Sequence, residues 1–274
     1  MKIGEKNFDL RESCLIMGIL NVTPDSFSDG GRFNDIDSAL RQAEKLLAEG
    51  ADIIDIGGES TRPGYVMISE EEEIERTAPV IQAVKERFGV PVSLDTYKYK
   101  VAEAGIQAGA DLINDIWGLR YDSGEMAALI AENNIPCCLM HNRHDQNYSN
   151  FFEDLISDMG LTLDIALNAG IKPENILIDP GVGFAKSYEN NLETIDRIDE
   201  FGRRLGFPVL LGASRKSVIG LTLDLPSDQR LEGTIAISVA GAMKGVSVLR
   251  VHDVKENLRA VKMALAIMKG YKRG

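Results

Sequence analysis

Acidic and amide side chains recur at the ends of short apolar runs in this 274-residue sequence. Asp95, Asn114 and Asp179 each close a run that is rich in branched aliphatic residues. Strand ends of a parallel barrel meet at one mouth, so we expect these acceptors to lie together. One aspartate there often only caps the next helix. Three neighbouring acceptors instead predict a ligand between them, which is either a divalent metal or a heterocycle with a row of N–H donors, such as a guanine-like or pterin ring.

Cationic residues follow the last two apolar runs. Lys216 lies in the string Ser214–Ser217, and Arg250 and His252 lie in Arg250–Asp253. The loops after the seventh and eighth strands of a barrel often bind phosphate. In a chain of net charge −12, such clustering argues against a merely solvated basic face. It predicts an anion pocket, with a general-base role for His252 as the weaker alternative.

Two glycine-rich loops follow the first two runs, at Asn21–Gly31 and Gly57–Gly64. Asn21 stands where a barrel strand turns outward, which suits a metal or phosphate ligand. Thr61 and Arg62 offer donors to phosphate oxygens, because a guanidinium group matches that geometry.

Eight apolar runs must position these residues. They are nearly continuous rather than alternating, as expected for parallel strands that are covered on both faces. The runs are Cys14–Leu20, Ile53–Ile56, Val90–Leu94, Leu112–Ile116, Ile135–Met140, Ile176–Ile178, Val209–Leu211 and Val246–Val251. Alternation with helical segments predicts an α/β fold, a (β/α)₈ TIM barrel forming a single domain over residues 1–274. An open doubly wound sheet is disfavoured, because polar clusters follow nearly every strand rather than one switch point.

Amphipathic segments between the runs predict helices. They are Ile36–Glu49, Glu70–Phe88, Met126–Glu132, Phe152–Ala169, Leu192–Leu205, Ile235–Met243 and Val254–Met268. Pro79 lies inside the second segment, so we expect a kink or two short helices there.

Composition excludes several classes of function. The acidic net charge argues against nucleic acid or an anionic membrane as a partner. No apolar run has the length of a membrane span or a signal peptide, so we expect a cytoplasmic protein. Cys14, Cys137 and Cys138 are interpreted as buried apolar residues. Motifs of serine hydrolases, zinc proteases and P-loop proteins are absent from the sequence.

Five strings together resemble the dihydropteroate synthase family, in the expected order and over nearly the whole chain. They are Asn21–Gly31, Gly57–Gly64, Ile176–Phe184, Ser214–Ser217 and Arg250–Asp253. The resemblance implies condensation of hydroxymethyl-dihydropterin diphosphate with 4-aminobenzoate, with release of pyrophosphate. It also implies Mg²⁺ as cofactor, an aminobenzoate site of the kind that sulfonamides target, and a homodimer formed through outer helices. The apolar stretches Ile235–Met243 and Val261–Met268 are candidates for that interface.

The resemblance assigns a role to each candidate residue. The pterin would be bound by Asp95, Asn114, Asp179, Lys216 and Arg250. The diphosphate would be bound by Asn21, Arg62 and His252, with Asn21 also a ligand of Mg²⁺. The aminobenzoate would be framed by Phe27, Thr61, Pro63, Phe184 and Ser217. Lys216, Arg250 and Asp95 would be the catalytic residues of a dissociative mechanism, in which electrostatics and positioning supply most of the rate.

Two departures from the family pattern lie in loops that border the site. Asn142 and His144 alter the loop after the fifth strand, and Ala185 replaces a glycine. Ala185 would be strained if that position needs a positive φ. Because no proposed ligand is lost, we expect altered loop geometry rather than loss of activity.

Three other functions fit parts of the pattern. A pterin-binding methyltransferase has no need of diphosphate ligands, and a non-catalytic pterin-binding module would have lost loop residues. A Schiff-base aldolase that uses Lys216 would need an apolar pocket around that lysine.

Overall fold

The fold is described from a computed structural model that covers residues 1–11, 13–23, 32–59 and 67–268, with only the backbone of residues 32–35. Two short strands, β1 (Lys2–Ile3) and β2 (Lys6–Asn7), form an antiparallel hairpin. The other strands are β3 (Leu15–Asn21), β4 (Ile53–Gly57), β5 (Val92–Asp95), β6 (Leu112–Asp115), β7 (Cys137–Met140), β8 (Ile176–Asp179), β9 (Leu210–Leu211) and β10 (Val248–Val251). Each of these eight strands overlaps one predicted apolar run.

The eight strands form one parallel sheet in the order β8-β7-β6-β5-β4-β3-β10-β9. The two ends of this order meet, because Ile178 of β8 bridges to Val209 in parallel. The Ile178 N–H also donates to the Pro208 carbonyl at 3.0 Å. The predicted (β/α)₈ barrel is therefore confirmed.

Ten helices lie between or after the strands in the part of the chain that the structure describes. They are α1 (Arg32–Glu49), α2 (Glu70–Phe88), α3 (Tyr99–Gln107), α4 (Glu125–Asn133), α5 (Phe151–Asn168), α6 (Tyr188–Asp196), α7 (Ile198–Leu205), α8 (Ser217–Leu223), α9 (Leu231–Met243) and α10 (Val254–Met268). Single 3₁₀ turns occupy Pro173–Asn175 and Ser227–Gln229.

Two predictions about helices are corrected. The option of two short helices around Pro79 is wrong, because α2 runs unbroken from the Ser69 cap to Gly89. The prediction of a single helix over Leu192–Leu205 is also wrong, because the segment forms two helices. The first, α6, ends before Arg197, and α7 begins after it. The Arg197 guanidinium lies 3.6 Å from the Phe152 ring centroid and pairs with glutamates on both helices, which fixes the break.

Alternate residues of each strand enter different apolar layers, as the pleat requires. Ile16, Ile54 and Ile113 pack outward under the helices. Met17, Ile53 and Leu112 point into the barrel and form its lower interior. The β1–β2 hairpin, which was not predicted, adds Ile3 and closes that interior at the amino ends of the strands.

The cysteine interpretation holds for two of the three residues. Cys137 and Cys138 are fully buried in β7, whereas Cys14 is only partly buried, just before β3. Within the described ranges, no helix combines the length and hydropathy that crossing a bilayer requires.

Candidate active site

The carboxyl ends of the strands bring the predicted pterin residues to one mouth. Asp95 and Asn114 are register partners on β5 and β6, and Asp179 ends β8. All three side chains are at least nine-tenths buried. A divalent metal or a ring with N–H donors was expected between these acceptors, and the protein itself supplies a cation there.

Arg250 of β10 fills part of that mouth. Its Nε donates to Asp55 Oδ2 and its Nη2 to Asp95 Oδ2, both at 2.6 Å. Asp55 Oδ1 and Asp95 Oδ1 have no hydrogen-bond partner among the described residues. The two carboxylates therefore hold one planar guanidinium and keep free acceptor capacity in a buried site.

Asp55 is a member of the site that the sequence prediction missed. It is fully buried in the middle of β4, between two isoleucines. An acid inside such an apolar run was the available signal, because buried carboxylates almost always have a cationic partner.

Burial dominates the electrostatics of Asp95. It raises the pKa of that carboxyl to about 7, while Arg250 opposes the rise and Asp55 adds to it. An acid with this pKa in a cleft is typical of functional sites. Asp115, the neighbour of Asn114, is structural instead, because its carboxylate accepts from the backbone of Trp117 and Leu119 and fixes the turn after β6.

Lys216 enters the mouth from the loop after β9, the strand next to β10. Burial lowers its pKa to about 8, against the attraction of Asp179. Its Nζ donates to the Val182 carbonyl and lies 4.6 Å from the Phe184 ring centroid. Burial likewise raises the pKa of Asp179, whose Oδ1 accepts from the Gly181 N–H at 2.7 Å. Phe184 belongs to an apolar patch at the mouth with Tyr97, Ile116, Met140 and Trp117.

The anion-binding prediction concerns the strand ends of β9 and β10. His252 Nδ1 lies 3.0 Å from Ser214 Oγ, and Ser217 is exposed at the first position of α8. Arg215 takes a left-handed conformation (φ 58°) and turns its guanidinium to Asp253. This turn separates the two adjacent cations, so that Lys216 points into the barrel.

Asn21 and Gly57 pair across β3 and β4 at the mouth. A Cβ on Gly57 would lie 3.6 Å from Asp95 Oδ2 and 3.9 Å from Asn21 Oδ1, so the glycine leaves open the space between these oxygens. An amide oxygen beside a space of this kind fits Mg²⁺, which takes few protein ligands when phosphates supply the others. Among the residues described, no group of three His, Cys, Asp or Glu side chains forms a metal cluster. Four predicted residues, Phe27, Thr61, Arg62 and Pro63, lie outside the described residues.

A buried ion cluster, absent from the sequence prediction, lies beside the second glycine-rich loop. Lys98 Nζ donates to Glu59 Oε2 at 2.7 Å, to Glu73 Oε2 at 2.8 Å and to the Ile68 carbonyl at 2.9 Å. Tyr97 Oη also donates to Glu59, at 2.7 Å. Glu59, which belongs to that loop, and Ile68 are thus tied to each other through Lys98.

The strain expected at Ala185 is present, since its φ is 46°. The altered loop after β7 lies against this residue, because Tyr148 Oη donates to the Ala185 carbonyl at 2.9 Å. In the same loop, the His144 ring lies 4.7 Å from the Trp117 ring.

Comparison with known proteins agrees with this geometry. The family model described as pterin binding enzyme matches residues 17–252. A dihydropteroate synthase of Clostridium beijerinckii is 56% identical over 270 residues, which is 98% of this chain and 100% of the relative. One of Bacillus subtilis is 50% identical over 94% of this chain and 90% of its own.

Solved structures give the same result. A dihydropteroate synthase from Clostridium difficile, crystallised in the presence of pteroic acid, has a TM-score of 0.93 and 47% identity, covering 96% of this chain and 100% of that one. The Yersinia pestis enzyme with a sulfonamide drug complex has a TM-score of 0.89 and 40% identity, covering 98% of both chains. The chain therefore belongs to the pterin-binding enzyme family and, within it, to the dihydropteroate synthases.

Proposed function

We propose that the mouth described above binds the pterin of hydroxymethyl-dihydropterin diphosphate through Asp95, Asn114, Asp179 and Lys216, with Arg250 against the ring. The pairing of Arg250 with Asp95 carries this proposal. The amino-pyrimidinone edge of a pterin presents N–H donors in the same planar arrangement as a guanidinium group. A carboxylate that holds one such group at 2.6 Å is preorganised for the other.

The proposal requires Arg250 to leave Asp95 when the pterin enters. Asp55 retains it, because the contact with Asp55 is made by Nε, whereas the contact with Asp95 is made by Nη2. The freed face of Arg250 can then lie over the ring and reach a phosphate. Asp95 would act while ionised, and a donor edge in contact with it lowers its pKa from about 7.

Asn21, Arg62 and His252 are proposed to bind the diphosphate. Mg²⁺, held by Asn21 together with phosphate oxygens, would supply positive charge to the leaving pyrophosphate. Phe27, Thr61, Pro63, Phe184 and Ser217 are proposed to frame the aminobenzoate, with Ser217 at the start of α8 facing its carboxylate. C–O cleavage precedes attack by the aryl amine in this dissociative scheme, so that Lys216, Arg250 and Asp95 act through charge and position.

The test is an assay of pyrophosphate release from the pterin diphosphate, with and without 4-aminobenzoate and Mg²⁺. We expect release that depends on both. Asp95→Asn, Arg62→Ala and His252→Ala should each reduce kcat/KM by roughly 30- to 1000-fold. Asp52→Asn is the matched control, because Asp52 Oδ2 accepts from the Ile16 N–H at the far end of the barrel.

Two outcomes would contradict the proposal. Normal turnover by both Arg62→Ala and His252→Ala would remove the phosphate assignment. Tight pterin binding without any release would leave a pterin-binding module or a methyltransferase.

The assembly is also proposed. Residues 1–274 would act as one domain, in the cytoplasm, as a homodimer through outer helices. Exposed apolar side chains on α9 and α10 support the interface, namely Met243, Met263 and Ile267. Sedimentation of the wild type and of a Met263→Lys, Ile267→Lys variant tests it, since charged side chains at a dimer interface should yield monomers.

A further inference from the structure

Four carbonyls of the turn between β8 and α6 accept hydrogen bonds from side chains, two from Lys186 within the turn and two from residues elsewhere in the chain. The carbonyls of Gly181 and Phe184 accept from Lys186 Nζ at 3.0 and 3.1 Å. The Ala185 carbonyl accepts from Tyr148 Oη at 2.9 Å, and the Val182 carbonyl from Lys216. This turn carries Phe184, which forms part of the apolar patch at the mouth.

The first support of the turn runs through His141. Its Nε2 lies 3.0 Å from Asp158 Oδ2 and its Nδ1 lies 2.9 Å from Lys186 Nζ. Because Asp158 accepts, Nε2 carries the proton and Nδ1 is left as the acceptor for the lysine. His141 and Lys186 are both buried. The ammonium has three N–H donors, and His141, Gly181 and Phe184 accept all three.

The second support starts from the same carboxylate oxygen. Arg143 Nε donates to Asp158 Oδ2 at 2.5 Å, and its Nη1 donates to the Asn147 carbonyl at 2.8 Å. The guanidinium lies 4.4 Å from the Tyr148 ring centroid, within cation–π range. Tyr148, fixed in this way, directs its hydroxyl to Ala185.

The second support ends at Ala185, whose backbone is unfavourable, and the first ends at Gly181 and at the neighbouring Phe184. A non-glycine residue at φ 46° is disfavoured by contact of its Cβ with the backbone, so neighbouring contacts must hold it there. Tyr148 lies in the same loop as Asn142 and His144, and Ala185 is the other departure from the family pattern. The loop that contains two departures thus supplies a hydrogen bond to the third.

We propose that Asp158, through His141–Lys186 and Arg143–Tyr148, positions the β8–α6 turn so that Phe184 forms one wall of the aminobenzoate site. This rests on the proposed function, since the aminobenzoate contact of Phe184 is part of it. Tyr148 and Lys186 are accordingly positioning residues that determine aminobenzoate affinity and leave pterin affinity unchanged.

Tyr148→Phe is the first test, because it removes one hydroxyl and keeps the ring under Arg143. We expect the KM for 4-aminobenzoate to rise roughly 3- to 10-fold, as for the loss of one hydrogen bond. The KM for the pterin diphosphate should stay within about twofold. Tyr188→Phe is the matched control, since it removes a hydroxyl contact with Thr222, 3.1 Å away, between α6 and α8. That variant should leave both KM values unchanged.

Ala185→Gly provides the second variant. Glycine adopts a positive φ without support, so Tyr148→Phe should change the aminobenzoate KM less in the Ala185→Gly background than in the wild type. The same cycle, measured as Tm, should show a smaller decrease in that background. The Tm cycle needs no turnover and therefore tests the hydroxyl–Ala185 link even if the enzyme proves inactive.

The outcomes separate the inference from the function on which it rests. No turnover by the wild type would defeat the proposed function. An active wild type with an unchanged aminobenzoate KM in Tyr148→Phe would overturn the inference. Equal rises of both KM values would overturn it too, because they would show a general structural defect. Equal Tm losses in both backgrounds would remove the coupling between Tyr148 and Ala185.

Discussion

Lys98 and Lys186 are two buried lysines that follow barrel strands β5 and β8, and they donate to acceptors of different charge. Lys98 lies between two carboxylates, Glu59 and Glu73, at 2.7 and 2.8 Å. Lys186 donates only to neutral acceptors, namely the His141 ring and two carbonyls. Both side chains bond to backbone carbonyls near the barrel mouth, but only Lys98 has carboxylates in direct contact.

The pKa values follow this difference. Burial lowers the pKa of Lys98, but its bonds and attraction to Glu59 and Glu73 outweigh burial, so that the net shift is upward. Burial lowers the pKa of Lys186 to about 7, because Asp179 and Asp158 act only from a distance. Carboxylates in direct contact can therefore reverse the effect of burial on the pKa of a lysine.

The largest expected effect is that of Lys98→Met. It leaves Glu59 and Glu73 buried without their counter-ion, which costs about 3–5 kcal/mol of stability. Urea unfolding measures the change, with Lys45→Met, at an exposed surface pair, as control. A loss below about 1 kcal/mol would mean that the two carboxylates find other partners.

Lys186→Met should cost less, about 1–3 kcal/mol in the same measurement. Three acceptors lose their donor, but no carboxylate in contact is left unpaired. The native state also no longer carries the cost of burying an ammonium. A loss as large as that of Lys98→Met would contradict the contrast between the two sites.

The two tyrosines beside these lysines sharpen the comparison. Tyr97 donates to the carboxylate of Glu59, whereas Tyr148 donates to a neutral carbonyl. Hydrogen bonds to charged groups contribute about 1.5–3 kcal/mol and neutral ones about 0.5–1.5. Tyr97→Phe should therefore destabilise the protein by about 1 kcal/mol more than Tyr148→Phe. Equal losses would show that the charge of the acceptor has no influence here.

A pH dependence gives the smallest expected effect, on the order of 1 kcal/mol between pH 6 and 8. The folded pKa of Lys186, about 7, is below the unfolded value of 10.5, so its stabilising contribution is lost as pH falls through 7 and grows above it. Stability of the wild type relative to Lys186→Met should rise over this range. Lys98, whose pKa is raised above 10.5, contributes no slope there. Parallel curves for wild type and Lys186→Met would show that Lys186 does not titrate in this window.

The sequence predicts the barrel well, since continuous apolar runs and their polar ends are local patterns. All eight barrel strands overlap a predicted run, and Asp95, Asn114, Asp179 and Lys216 meet at one mouth. Prediction fails where the cause is a distant partner. Arg197 interrupts a helical pattern because of its contact with Phe152. Lys98 and Lys186 acquire partners 39 and 45 residues away, and no local periodicity marks such pairs.

Asp55 could be predicted only in part from the sequence. Its position inside an apolar strand was visible, but its partner Arg250 is 195 residues distant and was assigned only to substrate. The free protein has no substrate, so its charges must first balance each other. Contacts with substrate that a family pattern implies do not reveal this internal pairing.

The pairing of β3 with β10, the first and last strands of the barrel, has a consequence for synthesis on the ribosome. Leu15 N–H donates to the Ser247 carbonyl at 2.8 Å, and Ser247 Oγ donates to the Leu10 carbonyl at 2.7 Å, across 237 residues. At translation rates of 5–20 residues per second, the nascent chain waits roughly 10–50 s between making these partners. During that interval one side of β3 presents unpaired backbone groups to any neighbouring nascent chain. The last barrel strand to leave the ribosome, β10, is thus the one that covers this side of the first barrel strand, β3.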